Sequence, residues 1–340
     1  MGASSPVIDC HSDVSVDVYR RRIAGETSVL ARIHGPAYRR GGVVASVCTV
    51  GGDTPLLGDE QRPYETTLGL LEALEADVAD SNGEFAIARS AAEVRTLIAQ
   101  GVFAIVLAIE GAAPVEGDLD RIDELYERGI RVIGLTWNSR NEIAVGLDSG
   151  EGGLTEFGSD AVRRMNELGI LVDLSHSSPQ TFWDVVGVTS SPVYASHSNA
   201  KAVRSHARNL DDDQLRAIAA SDGAVGLVAY ADFVSEPPVE LAALLRHLDH
   251  FRDLVGDGRI VIGADFLDYA LEETVAFAAK SPAYNELPTY YPRGLESVAE
   301  MQNLLAAMRE HGVPEETCSR IGAENFLALM ERTEARATRP

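Results

Sequence analysis

Short apolar runs rich in β-branched residues recur along this chain, separated by longer stretches whose apolar positions fall at helical spacing. The runs at 7–9, 43–50, 103–109, 131–136, 171–174, 193–195, 224–229 and 260–263 predict eight strands. Most are continuously apolar, the pattern of strands covered on both faces, as in a parallel sheet wrapped by helices. Helical period occupies the intervals near 64–79, 119–127, 156–168, 211–220, 239–254 and 295–311. Start signals accompany it: Asp211-Asp212-Asp213 precedes Leu215, and Ser178-Pro179 precedes Phe182. Eight strands interleaved with helices predict an α/β fold, a TIM-type (β/α)8 barrel. An open doubly wound sheet with a nucleotide site would carry a glycine-rich turn after its first strand, and there the chain reads His11-Ser12-Asp13. The expected organisation is one barrel domain over 1–340, with its core near 7–312 and a short helical appendage near 314–332. The stretch 267–292 carries Pro282, Pro288, Pro292, Tyr284, Tyr290 and Tyr291 with little period, and predicts a long loop after the eighth strand.

Composition narrows the function. With 29 basic against 52 acidic residues the net charge is −23, a field that repels phosphate backbones and anionic lipid, so neither a nucleic-acid nor a membrane partner is expected. Cys10, Cys48 and Cys318 are odd in number and form no C-x-x-C pair, which predicts buried free thiols. The start Met-Gly-Ala-Ser-Ser-Pro lacks the basic and apolar regions of a secretory signal, and no apolar run reaches the roughly 20 residues of a membrane span. A cytoplasmic location is the expectation.

In a parallel barrel the C-terminal strand ends share one mouth, where catalytic groups gather. Five of the expected strands end in ligand-type residues: Asp9-Cys10-His11-Ser12-Asp13, Ile109-Glu110-Gly111, Asp173-Leu174-Ser175-His176, Ala195-Ser196-His197 and Gly263-Ala264-Asp265-Phe266. His11 and Asp13 are two apart, which in an extended strand places both on one face. Taken singly, each has an ordinary structural explanation: a helix cap for Glu110 or Asp265, a satisfied core histidine for His176. Taken together, imidazoles and carboxylates at one mouth suit Zn²⁺ or a similar first-row ion, and two groups linked by Glu110 suit two ions sharing a bridge. His34 and His311 read as surface residues. His247 and His250, at i,i+3 spacing inside an expected outer helix, read as helix packing.

Assembled, these motifs, with Ser196-His197-Ser198 and Ala207-Arg208-Asn209-Leu210, make the chain resemble the membrane dipeptidase (renal dipeptidase) family, peptidase family M19 of the amidohydrolase superfamily, from about Ile8 to Glu331. The resemblance implies two zinc ions: His11 and Asp13 on the first, Glu110 bridging, His176 and His197 on the second. Asp265 would touch the first ion and shuttle a proton, and Arg208 would take the substrate's terminal carboxylate. No lysine ends the first, third or fifth strand, so Glu110 and no carbamylated lysine is the expected bridge. The implied reaction is zinc-dependent hydrolysis of a dipeptide amide bond by a metal-bridging hydroxide, in a homodimer.

Two departures stand out. Renal-type members have a histidine after the fourth strand, where this chain reads Leu135-Thr136-Trp137-Asn138; Trp137 becomes a candidate substrate contact, and Asn138, Arg140 and Asn141 candidate replacements for the oxyanion donor. Asp265-Phe266-Leu267-Asp268-Tyr269 replaces the frequent Asp-Phe-Asp-Gly, so the turn after Asp265 lacks its glycine. Two alternatives keep the same centre: a hydrolase of N-acyl amino acids or other modified amides, and a metal-bound scaffold without catalysis.

Overall fold

A computed structural model describes residues 5–53, 62–270 and 290–338. Eight parallel strands close a barrel: β1 (Val7–Ser12), β2 (Val43–Gly52), β4 (Phe103–Glu110), β5 (Ile130–Gly134), β6 (Leu171–Asp173), β7 (Tyr194–Ala195), β8 (Ala224–Leu227) and β9 (Ile260–Ile262). Their order runs β2-β1-β9-β8-β7-β6-β5-β4, and β4 pairs back onto β2. These are the eight strands expected from the apolar runs, in a (β/α)8 arrangement. A ninth strand, β3 (Phe85–Ala88), was not expected. It pairs with Phe103–Val106 of β4, on the edge that β5 takes over at Leu107.

Alternation along the strands separates two cores. Ile8 and Cys10 of β1, Ala45 and Val47 of β2, and Ala104, Val106 and Ala108 of β4 join Val132, Leu171, Tyr194, Ala224 and Val261 in one cluster. The intervening residues, such as Cys48, Val50, Ile105, Leu107 and Ile109, pack in the larger cluster that the helices share. The first cluster fills the barrel, and Phe326, Leu327 and Met330 of the helix Asn325–Glu334 join it. That helix, with Glu315–Ser319 before it, occupies the expected C-terminal appendage.

The expected helices are present with small shifts, for example Pro63–Ala79, Glu156–Leu168 and Leu241–Leu254. Asp211 caps Asp212–Ala220 in a full capping box with Gln214, and the Ser178 hydroxyl caps Pro179–Val188 through the Thr181 N–H. Among the described residues four α-helices lay outside the expectation: Val14–Ile23, Gly35–Gly41, Ala91–Ala99 and Ala231–Val234. Val14-Ser15-Val16-Asp17-Val18 alternates like a strand, yet all five residues are buried within a helix. The free thiols of Cys10, Cys48 and Cys318 are buried. Most of the loop expected over 267–292, including Tyr284, lies outside the described residues. Among the described residues no helix is long and apolar enough to cross a membrane.

Candidate metal centre

His11 reaches the barrel mouth by an irregularity in its strand. Pairing of β1 with β2 shifts register between Asp9 and Ser12, and Asp13 has already left the strand, with φ −96° and ψ 22°, as the residue that starts helix Val14–Ile23. Simple strand alternation, the expected reason for His11 and Asp13 facing together, is therefore replaced by a bulge and a helix start, a common way of re-aiming side chains at barrel rims. The Asp9 carboxylate braces the turn by accepting the Ala264 N–H at 3.2 Å. Burial pushes the Asp9 carboxyl up to about 7.

Glu110 ends β4, and Gly52 makes room for it. The Gly52 backbone lies so close that an added Cβ would stand 1.8 Å from the Glu110 carbonyl oxygen. His176 and Asp265 follow β6 and β9 with left-handed backbones, φ 67° and 60°, a sparsely populated region for non-glycine residues.

The side chains converge. Glu110 Oε1 is 3.4 Å from His11 Nε2, 3.2 Å from His176 Nε2 and 3.5 Å from His197 Nε2. His11 Nε2 is also 3.7 Å from Asp13 Oδ2 and 3.8 Å from Asp265 Oδ1. Two donor groups result, His11/Asp13/Asp265 and Glu110/His176/His197, each with its ligand atoms within 4.8 Å of one another. All six residues expected to surround the centre are thus brought together. Asp173, which also lies near His11 and His197, spends its carboxylate on the Ser175 N–H (3.0 Å), the Ser196 N–H (2.9 Å) and the Ser196 hydroxyl. It braces two strand ends.

The chemistry of the donors fits cations. His176 Nδ1 lies 2.7 Å from Asn138 Oδ1, and His197 Nδ1 lies 2.6 Å from the Ser196 hydroxyl, which itself donates to Asp173. Both Nδ1 atoms therefore carry the hydrogen, and both Nε2 lone pairs point at the centre. Those two Nε2 atoms are only 2.9 Å apart. Two lone pairs at that separation repel unless a positive charge lies near both. Outer partners of this kind set the tautomer of metal-binding imidazoles. Burial, with Arg208 and His11 nearby, holds His176 and His197 well below the ordinary histidine pKa, so both stay neutral, as ligands must. Burial also opposes charge on His11, but Glu110, Asp13 and Asp265 outweigh it and carry its pKa well above the ordinary value. Burial lifts the Glu110 carboxyl well above its usual range, against the pull of His11. Three buried carboxyl groups crowded onto one imidazole, which they drive to hold a proton, and onto the Arg208 guanidinium are the electrostatics of a cation site.

Arg208 lies over this centre, 2% exposed. Its Nη2 is 3.1 Å from His176 Nε2 and 3.2 Å from the His197 carbonyl oxygen, and its guanidinium carbon sits 5.2 Å from the Phe233 ring centroid. His206, absent from the sequence-based candidates, accepts the Arg208 N–H at Nδ1 (3.1 Å) and turns Nε2 to Asp232 at 3.4 Å. The Trp137 ring stacks on His176, with centroids 5.4 Å apart and planes at 28°. Its backbone N–H donates to Asp53 at 3.3 Å; burial lifts the Asp53 carboxyl to about 7. Asp53 too escaped sequence analysis, since a carboxylate three residues past an expected strand carries no distinguishing spacing.

Several expectations need correction. Of the candidate oxyanion donors, Arg140 donates to the Glu151 carbonyl, and Asn141 binds Asp53, the Leu135 carbonyl and the N–H groups of Ile143 and Ala144, so both are engaged elsewhere. Asn138 turns its Oδ1 to His176 and keeps a buried Nδ2 with no hydrogen-bond partner among the described residues. His34 is buried, with Nε2 2.9 Å from Asp17; a π-helical turn at Leu30–His34 draws it inward. His311 is on the surface beside Asp249, as expected. His247 accepts the Ala200 N–H and donates to the Val234 carbonyl, and His250 pairs with Asp212, so this pair serves packing, as expected.

Similarity to known proteins bears on the same site. The family model described as membrane dipeptidase (peptidase family M19) matches residues 1–277. An uncharacterised protein of Klebsiella pneumoniae, from the pqqA 5′ region, is 33% identical over 233 residues, 65% of this chain and 86% of that one. An uncharacterised dipeptidase of Schizosaccharomyces pombe is 30% identical over 67% of this chain and 53% of its own length, so this chain spans about half of that relative. A crystal structure of a metallo peptidase from Rhodobacter sphaeroides, liganded with a phosphinate mimic of the dipeptide L-Ala-D-Ala, is 28% identical with a TM-score of 0.84, covering 97% of this chain and all of that one (100%).

Proposed function

Because the chain belongs to the membrane dipeptidase family, peptidase family M19, we propose that it is a metallo-dipeptidase whose mouth residues hydrolyse the amide bond of a free dipeptide. His11, Asp13 and Asp265 would hold one cation, His176 and His197 a second, and Glu110 would reach both; zinc suits such a mix of imidazole and carboxylate. A cation pair there supplies an acidified water and polarises the scissile carbonyl.

The chain's own groups do the rest. The Arg208 fork pairs with the substrate's terminal carboxylate and sets which bond lies over the centre. Phe233 faces that fork, and His206 holds the Arg208 backbone N–H behind it. Asp265, whose carboxyl burial raises above its usual range, carries the proton to the departing amine. Trp137 walls the site beside His176. The buried Arg208 and the cations supply the positive charge that a zwitterionic dipeptide needs against a background of −23. Homodimerisation and a cytoplasmic location complete the proposal.

The observation that carries this reading is the meeting of three histidine Nε2 atoms around one Glu110 oxygen at 3.2–3.5 Å. A panel of L,L and L,D dipeptides, each also as its C-terminal amide, tests it. Turnover of the free acids with at least a tenfold preference over the amides is expected. A second reading, hydrolysis of N-acyl amino acids, is favoured by Trp137 in place of a charged donor; activity on N-acetyl amino acids with none on any dipeptide would select it over the first.

A further inference from the structure

Asp265 occupies a left-handed backbone conformation that residues other than glycine adopt uncommonly, and one hydroxyl group bridges the turn there. The Tyr291 hydroxyl donates to the Asp265 carbonyl oxygen at 3.1 Å and accepts the Leu267 N–H at 2.6 Å, closing the turn from both sides. The single hydroxyl hydrogen is used in one bond and a lone pair in the other, so the geometry is satisfied only by a residue with both capacities. Tyr291 is itself fixed. It is 6% exposed, its ring packs on Phe266 at 5.1 Å between centroids, and it meets Tyr230 edge-on at 6.5 Å. Its segment is tied down on both sides, by the Ala231 N–H to the Tyr290 carbonyl and by the Arg293 N–H to the Val239 carbonyl, each 2.9 Å.

The turn after Asp265 lacks the glycine that would adopt a left-handed path without strain. The φ of 60° falls on Asp265 itself. We propose that Tyr291 is the positioning residue that locks Asp265 in this conformation and so aims its carboxyl at the centre. The inference rests on the reading of Asp265 as proton carrier. Without the hydroxyl, the buried Leu267 N–H loses its acceptor and the Asp265 backbone is released toward the extended region, which turns the carboxyl away from His11.

Four proteins test this: wild type, Tyr291→Phe, Asp265→Asn and the double variant, each as the full chain. Tyr291→Phe keeps the ring and its packing. Its kcat falls about 10- to 100-fold, the scale of an ångström-sized misplacement, while KM stays within about 2-fold because Arg208 is untouched. In the Asp265→Asn background the same change costs less than about 2-fold, since there is no carboxyl left to aim. Amide exchange supplies a readout apart from activity: Leu267 exchanges as slowly as the neighbouring strand in wild type and at least tenfold faster in Tyr291→Phe. Wild-type turnover in Tyr291→Phe alongside a dead Asp265→Asn overturns the inference and leaves the proton-carrier reading standing. An undiminished cost in the double variant, or a Leu267 amide that exchanges freely in wild type, also overturns it. Wild-type turnover in Asp265→Asn sinks the proton-carrier reading instead, and the exchange data then decide whether the hydroxyl fixes the turn.

Discussion

His247 links acid sensitivity to the framework that carries Arg208. Its Nδ1 accepts the Ala200 N–H at 3.1 Å and its Nε2 donates to the Val234 carbonyl at 2.9 Å, tying the loop that leads to Arg208 to the helix that bears Phe233. Burial, despite the Val234 carbonyl, lowers its pKa from 6.5 to about 4. The folded state thus prefers the neutral ring, and the unfolded chain takes up a proton first as the pH falls. The stability that this preference secures is present above pH 6.5 and is lost progressively as pH falls through 6.5 toward 4. Across the whole window that is about 3 kcal/mol, and between pH 7 and pH 5 about 2 kcal/mol. Chemical denaturation of chelated wild type and His247→Gln at both pH values isolates the effect, because every other titrating group is shared. The variant is less stable at pH 7, where it loses well-placed hydrogen bonds, and the gap narrows by about 2 kcal/mol at pH 5. A gap that stays constant, or widens in acid, refutes the argument that His247 is buried as the neutral ring.

Removing the Asn138 acceptor leaves the His176 ring unanchored at Nδ1, so Asn138→Ala should weaken metal binding about 10- to 100-fold, the usual cost of losing such a partner; chelator competition measures it. Arg208→Lys keeps the charge but loses the planar fork, and KM for free dipeptides should rise about 10- to 100-fold, from the loss of one charge-assisted hydrogen bond. If KM is unchanged, Arg208 does not receive the carboxylate.

The barrel was legible because its strands are covered on both faces. Runs such as Val43–Val50 and Phe103–Ile109 have nowhere to be but inside a parallel sheet. β3 escaped notice because Phe-Ala-Ile-Ala is only four residues long, and the edge left open on β4 makes it a strand. Helix Val14–Ile23 escaped for the opposite reason, since its alternating first half imitates a strand and tertiary packing overrides the pattern. The candidate ligands were readable from a rule of topology: strand ends share a mouth, whatever their distance in sequence. Their orientation was not. The register shift in β1, the left-handed backbones of His176 and Asp265, and the turning of Asn138 onto His176 are consequences of packing between segments far apart in the chain. The roles of His206, Asp53 and Tyr291 were hidden for the same cause, each acting on a residue tens of positions away or through the backbone alone.

The most direct measurement is the metal content of the purified chain, followed by dipeptide turnover before and after exhaustive chelation. About two divalent ions per chain, loss of turnover when they are removed and its return with added zinc is the predicted result. Full turnover by metal-free protein would contradict the account.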